Sequence, residues 1–442
     1  MNTNTIYTGD AFEVLPELPA ESVHAVVTDP PYGLAFMGRD WDDFSPAEYQ
    51  EWCEQWANEV KRVLKPGGHL LAFSGNRTHH RLFTGVEDAG FEIRDTITWH
   101  YGSGFPKALD VSKAIDKAAG AEREVVGEKT TPDGKPYSER KKQFQTSGSN
   151  EGYKRPSDDN PRNELTAPAT EAAKKWNGWK TALKPATEFV VVARKPLSEG
   201  TVAENVQTHG TGALNIDGTR IDHDGDGLDG GATNAESAAN FKGGWHRDWM
   251  DDDEHVKEYA KEMKSKVEHA EEHGRYPANV VFDEQAAEQL DSSNEHTEGG
   301  RAGNAYEWKG SHAMSDGMSG GASSYGDHGG PSRYFYTSKA TRAERTLDGK
   351  IDNAHPTVKP VDLMEWLVVL ATAEEQIVLD PFAGSGTTLR AAKTKNRRFI
   401  GIEKQPKWAD VARARIGLSP NDPNHVRDDD AQTGFETFVG PE

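Results

Sequence analysis

The sequence predicts an α/β fold on a parallel, doubly wound sheet, and three observations predict it. Strand-like and helix-like segments alternate at both ends of the chain, over about 1–120 and again over about 350–417. Two apolar runs each end in a short turn that carries a carboxylate. Val23–Val27 leads into Thr28-Asp29-Pro30-Pro31-Tyr32-Gly33, and Gln376–Leu379 leads into Asp380-Pro381-Phe382-Ala383-Gly384-Ser385-Gly386-Thr387-Thr388. Open α/β sheets carry their chemistry at the carboxyl ends of strands, so these two turns mark the candidate site.

The elements follow in order. Thr5–Asp10 opens with a short strand and ends in a carboxylate. Val23–Val27 reads as a buried strand. Pro30 and Pro31 stop it, because neither can donate to a sheet ladder and each fixes its own φ. Ser45-Pro46-Ala47-Glu48 fits a capping box with proline at the first helical position. Tyr49, Trp52, Trp56, Val60 and Val63 then recur at helical spacing and give one apolar face. Leu64-Lys65-Pro66-Gly67-Gly68 is expected to end that helix, and His69–Phe73 to form the next strand. A helix is expected over about 78–89, stopping at Gly90, and then a strand over Phe91–Trp99.

The middle of the chain breaks the alternation. Residues 129–180 hold 11 Lys and Arg against 7 Asp and Glu, with Tyr137, Phe144, Tyr153, Trp176 and Trp179 interleaved. That mixture suits a nucleic-acid surface, and over 129–165 it suits a solvated loop equally. Leu183–Pro196 contains a strong strand. Residues 217–273 hold 16 Asp and Glu against 7 Lys and Arg, which predicts an acidic, solvated insertion. Within it, Asp222-x-Asp224-x-Asp226-Gly227 is like the start of a calcium loop, but the twelfth position is Thr233 and not the glutamate such a loop needs. Arg275–Phe282 and Tyr334–Tyr336 are short apolar islands expected to tie the middle to a core. Glycine is dense over 299–330. Regular alternation returns with His355-Pro356-Thr357-Val358-Lys359-Pro360, a helix carrying Leu363, Trp366, Leu367 and Leu370, the strand to Asp380, a helix, the strand Arg398–Glu403 and a last helix from about Pro406.

Composition bounds the function. The chain has 442 residues, room for two or three domains. Its only cysteine, Cys53, sits between Trp52 and Trp56 and reads as packing, which excludes an internal disulfide and a cysteine-based zinc cluster. The first residues are polar and no apolar run reaches membrane-spanning length, so a cytoplasmic protein is expected, in the host cytoplasm if the protein is viral. The formal charge is −21. Nucleic-acid binding gains from basic residues, so either the basic residues are concentrated locally or the protein works at molar salt, where global repulsion is screened. A halophilic protein and an acidic phage protein at ordinary salt both fit.

The cofactor turn has its own logic. A strand, then Gly384-x-Gly386, then a helix lets a small ligand approach the backbone closely. No Gly-Lys-Ser/Thr follows, so it is not a nucleoside-triphosphate loop. Glu403 lies 17 residues beyond Gly386, at the end of the next strand, where acidic residues of such sheets bind ribose hydroxyls.

Together the two turns resemble the S-adenosylmethionine-dependent amino-methyltransferases of DNA, in the group where Asp-Pro-Pro-Tyr comes first and the Phe-x-Gly-x-Gly loop last. The resemblance covers about 1–115, 181–220 and 350–417. It implies a Rossmann-like class I methyltransferase fold, circularly permuted between Glu403 and Asp10, with a large inserted target-recognition region. The expected organisation is a catalytic half over 1–120, an insertion over 121–340 from which 181–196 returns to the sheet, a cofactor-binding half over 350–417, and a flexible tail over 418–442.

The resemblance also implies roles. Asp29, Pro30 and Tyr32 would be catalytic, and Tyr32 with Trp99 would line the pocket for the target base. Asp10, Thr357, Lys359, Asp380, Phe382, Gly384, Gly386 and Glu403 would bind S-adenosylmethionine, with Asp10 on the adenine amino group and Thr357 and Lys359 on the methionine side. No metal is expected. The partner would be double-stranded DNA, with a restriction endonuclease as a candidate second partner. Cytosine C5 methylation is disfavoured, since it needs a Pro-Cys nucleophile and Cys53 follows Trp52. Asp29 in the first position leans to adenine N6, where Ser would lean to cytosine N4. Cytosine N4 and a non-catalytic DNA-binding protein are the alternatives.

Overall fold

In a computed structural model, the described residues are 2–34, 44–102, 104, 108–130, 164–222, 252–292, 331–338 and 358–418. They fall into two compact units, one of Met1–Ser103 with Ala186–Glu442 and one of Gly104–Pro185.

The larger unit is built on nine strands. They are β1 (Thr5–Thr8), β2 (Val23–Thr28), β3 (Leu64–Ser74), β4 (Glu92–His100), β7 (Thr187–Arg194), β8 (Val280–Asp283), β9 (Tyr336–Ser338), β10 (Ile377–Asp380) and β11 (Arg398–Glu403). Their order across the sheet is β1-β11-β10-β2-β3-β7-β4-β8-β9. β7 is antiparallel to both of its neighbours, and every other pairing is parallel. Strands from the two ends of the chain lie side by side: Thr5 pairs with Ile400 and Thr8 with Glu403. β10 and β2 are neighbours, with Leu379 beside Val26, so the two carboxylate-bearing turns emerge side by side at the carboxyl ends of adjacent strands. The helix that follows β10 and the helix that follows β2 pack on opposite faces of the sheet, which makes this a switch point of the kind where α/β proteins bind ligands.

Each face of the sheet has its own core. One is packed by Pro46–Val63 and His79–Asp88, and buries Tyr49, Cys53, Trp56, Val60, Leu82 and Val86. The predicted capping box is present: Ser45 Oγ accepts from the Glu48 N–H at 3.3 Å, and Glu48 Oε2 accepts from the Ser45 N–H at 2.8 Å. A Cβ on Gly85 would stand 2.8 Å from Cys53 Cβ, so the two helices touch where one lacks a side chain. Cys53 is buried there, and burial pushes its thiol up to about 12, which suits packing rather than chemistry. The other face is covered by Val361–Ala371, Thr387–Thr394 and Pro406–Ile416. Val361–Ala371 is buried on nearly every side, as its run of apolar residues requires.

Two expectations need adjustment. The helix ends at Val63, as Leu64–Gly68 led one to expect, but the next strand starts at Leu64 and not at His69: Leu64 already pairs with Val23, and an irregularity between Val23 and Ala25 absorbs the extra residues before His69 pairs with Ala25. Residues 217–273 contain a 21-residue helix, Asp253–His273. Its acidic run is rich in Glu and Lys, which are good helix formers whatever their net charge. The calcium-like segment beyond Asp222 lies outside the described residues. No helix of the described residues is long and apolar enough to cross a membrane.

The smaller unit pairs β5 (Val125–Glu128) with β6 (Glu164–Thr166) and holds two short helices, Val111–Ala118 and Glu171–Lys175. The buried Asp116 is its anchor. It accepts from Arg123 at 2.7 Å, from the Ala169 and Thr170 N–H groups at 3.0 Å each, and from Thr170 Oγ1 at 2.7 Å.

Candidate active site

Asp29 leaves the end of β2 on the proline turn, and both of its carboxylate oxygens are engaged. Tyr32 Oη donates to Oδ1 at 2.8 Å and Lys359 Nζ donates to Oδ2 at 2.6 Å. Tyr32 Oη also lies 3.0 Å from Glu188 Oε2, Lys359 Nζ lies 3.2 Å from the same oxygen, and Lys359 donates to Tyr32 Oη at 3.2 Å. Lys359 is buried, at 8 % exposure, and its ammonium stands over the ring of Phe73 at 4.9 Å. The two neighbouring carboxylates hold its pKa above the usual lysine value against the opposing effect of burial. Burial, with Asp29 and Glu188 alongside, pushes the Tyr32 phenol well up, so it stays a hydrogen-bond donor.

The second turn supplies the rest of the cleft. Asp29, Lys359, Asp380, Phe382, Ala383 and Gly384 share one pocket. Asp380 is 2 % exposed. It accepts from Thr28 Oγ1 at 2.7 Å, from Thr388 Oγ1 at 2.6 Å and from the Phe382 N–H at 3.1 Å. Burial still pushes its carboxyl up to about 6. Glu403 holds the loop from the next strand: its Oε2 accepts from the Gly384 N–H at 2.8 Å and its Oε1 from the Gln405 N–H at 2.8 Å. Phe382 leans on Trp52 and Trp56, with ring centroids 5.4 and 5.7 Å away.

Several expected residues have a second occupation. Asp10 caps the short helix Ala11–Val14 through the Phe12 N–H at 2.9 Å, and pairs with Lys404 at 2.9 Å. Gly386 does not line the pocket; it has φ +79°, and a Cβ there would stand 2.7 Å from Ala412 Cβ, so it serves close packing against Pro406–Ile416. Lys359, expected beside the methionine part of the cofactor, is bound to Asp29 and Glu188. The ring centroid of Trp99 is 5.0 Å from that of Tyr101, and Trp99 lies directly opposite Glu188 across the β4–β7 pair. Thr357 lies outside the described residues.

The residue that sequence reasoning missed is Glu188. Its one signal is a carboxylate at the head of an otherwise apolar strand, Phe189–Ala193. No group of three or more His, Cys, Asp and Glu among the described residues could hold a metal ion. The donor set does fit a nucleoside bearing a positive charge and no phosphate. Asp29 and Asp380 supply carboxylates to the pocket, Glu403 stands behind its Gly384 loop, and Lys359, the one lysine among the described residues of the pocket, is already taken up by Asp29 and Glu188.

A doubly wound sheet with an acidic cleft at its switch point is a Rossmann-like arrangement of strands and site. The profile of the N6/N4 DNA methylase family matches residues 23–414, and the chain belongs to that family. It is 23% identical to the type II methyltransferase M.HindIII of Haemophilus influenzae, over 94% of this chain and 96% of that one. It is 38% identical to the type II methyltransferase M.HinfI of Haemophilus influenzae over 89 residues, which are 20% of this chain and 25% of the relative. Among solved structures it is similar to the cytosine-N4-specific PvuII DNA methyltransferase, at 15% identity, TM-score 0.42 and coverage of 96% of this chain and 93% of the other. The M1.HpyAVI–SAM complex follows at 15% identity, TM-score 0.38 and coverage of 94% and 99%.

Proposed function

We propose that the chain methylates N6 of adenine in duplex DNA, with S-adenosylmethionine as methyl donor. The observation that carries this reading is Asp29. It is a carboxylate on a rigid proline turn, oriented from both sides by Tyr32 and Lys359, at the mouth of an acidic cleft.

An exocyclic amine of a base is a poor nucleophile, because its lone pair is spread into the ring. Asp29 accepts one amino hydrogen and the Pro30 carbonyl accepts the second, which draws the lone pair back onto nitrogen. The Tyr32 ring offers a face on which the base stacks. When bound, S-adenosylmethionine supplies a methyl group on a positively charged sulfur. Asp380 lines its side of the cleft with negative charge, and Glu403, which holds the Gly384 N–H, keeps lone pairs for hydroxyl donors. The amine releases one proton as it gains the methyl group, and Asp29 is the first group placed to receive it. Positioning and electrostatics carry this chemistry without a covalent intermediate on the protein.

A base inside a duplex is out of reach, so the target nucleotide flips out. Recognition of the flanking sequence falls to 121–340. In the smaller unit, the exposed Trp176 and Trp179, ring centroids 4.9 Å apart, stand among the exposed Lys174, Lys175 and Lys180, and support a nucleic-acid surface there. The likeness to type II methyltransferases supports a restriction endonuclease as partner. The charge of −21 supports work at high salt.

The test is methyl transfer to unmethylated DNA by wild type and Asp29→Ala, at low and at molar-range salt. Loss of transfer with retained DNA binding is expected of Asp29→Ala. Undiminished transfer by that variant would overturn the reading.

A further inference from the structure

Neither of the two motifs contains Glu188, yet its carboxylate meets every donor that meets Asp29. A lysine ammonium has three N–H donors. Those of Lys359 have three partners within 3.2 Å: Asp29, Glu188 and Tyr32. A phenol has one hydrogen, and that of Tyr32 has two carboxylate oxygens in reach, at 2.8 Å on Asp29 and 3.0 Å on Glu188. Asp29 therefore meets the incoming amine with both oxygens already in use. To accept a hydrogen from substrate, it has to give up a partner or share an oxygen. In a site this buried, a donor released with nowhere to go is costly.

Glu188 is the alternative acceptor. It reaches both donors from the head of β7, the strand that runs against its neighbours, and needs no movement of either donor's backbone. We propose that Glu188 is a positioning residue for the transfer: it takes over the Tyr32 hydroxyl hydrogen and a larger share of Lys359 as Asp29 turns to the target amine. The exchange leaves every buried donor paired before and after. It also divides the charge of Lys359 between two acids, so that Asp29 remains a strong acceptor for the amine. The proposal rests on the functional reading above, since it concerns what Asp29 does with a substrate N–H.

The experiment uses the full chain with Glu188→Gln and Glu188→Asp. Single-turnover transfer from labelled S-adenosylmethionine to unmethylated genomic DNA is compared with calorimetric binding of S-adenosylmethionine and with the thermal midpoint. Glu188→Gln keeps the shape and loses the charge. It is expected to slow transfer about tenfold to a hundredfold, because an amide oxygen is a weaker acceptor than a carboxylate for the Tyr32 and Lys359 donors, with cofactor affinity and midpoint unchanged. Glu188→Asp keeps the charge and recovers most of the rate. A readout apart from turnover is the lysine ammonium signal in the 15N spectrum of the donor-free protein. The slowly exchanging Lys359 resonance is expected in wild type, broadened in Glu188→Gln and restored in Glu188→Asp. Transfer by Glu188→Gln within about twofold of wild type, or a loss of rate that only follows a loss of cofactor binding or stability, would overturn this role while leaving the functional reading intact. A wild type that methylates no DNA would overturn both.

Discussion

Thr28 Oγ1 donates to Asp380 Oδ1 at 2.7 Å, and the two residues are 352 positions apart in the chain. This one bond joins the ends of β2 and β10. It sets the turn that carries Asp29 against the turn that carries Phe382 and Gly384, so the two sequence motifs share one pocket. The energetic consequences of that junction are open to measurement.

Asp380 makes the junction sensitive to pH. Its carboxyl is raised from an ordinary value of 3.8 to about 6, chiefly by burial. The folded state therefore holds a proton that the unfolded state has lost between about pH 4 and pH 6. The stability this group contributes is full below the lower value and is lost as pH rises through the upper one. By neutral pH the ionised, buried form costs about 3 kcal/mol. Asp380→Asn keeps the acceptor for Thr28 and removes the titration. Urea unfolding of the two proteins should show the variant gaining on wild type as pH rises from 4 to 7. A difference that is flat with pH would contradict this.

Lys359 is the cation that the two acids share. Lys359→Met removes it and leaves Asp29 and Glu188 facing each other, 18 % and 19 % exposed. Removal of one partner from a buried ion cluster costs about 3–5 kcal/mol, and the variant should unfold at a correspondingly lower urea midpoint. Transfer should be lost even where the variant remains folded, because Asp29 loses one of the two groups that orient it.

Gly386 tests the packing of the cofactor turn. Alanine there would have to adopt φ +79° and bring its Cβ to 2.7 Å from that of Ala412. Overpacking of this kind costs about 1–3 kcal/mol. Gly386→Ala should lose that much in urea unfolding, and should bind S-adenosylmethionine more weakly, because the helix Thr387–Thr394 can move off only by moving the loop.

Much of this was legible in the chain, and the exceptions have physical causes. Proline, glycine and apolar runs are local signals, and they marked β2, β10, the Ser45 cap and the Trp52–Val63 face directly. Asp29, Asp380, Phe382 and Gly384, which line one pocket, could be placed from the sequence at strand ends because each lies within a few residues of one. Glu188 was not, since its place beside Asp29 depends on how β7 pairs, with Phe189 against Ser74 and Glu188 against Trp99, and no local pattern encodes that. The partners of Lys359 were hidden for the same reason. The helix Asp253–His273 was obscured by its charge, which describes its solvation and not its backbone.

The most direct test of the central claim is the identity of the methylated nucleoside. Unmethylated DNA is incubated with the protein and labelled S-adenosylmethionine, digested to nucleosides, and separated. Wild type is expected to yield N6-methyladenine, and Asp29→Ala none. N4-methylcytosine would keep the chemistry of Asp29 and overturn the choice of base, and the absence of any methylated base would contradict the account itself.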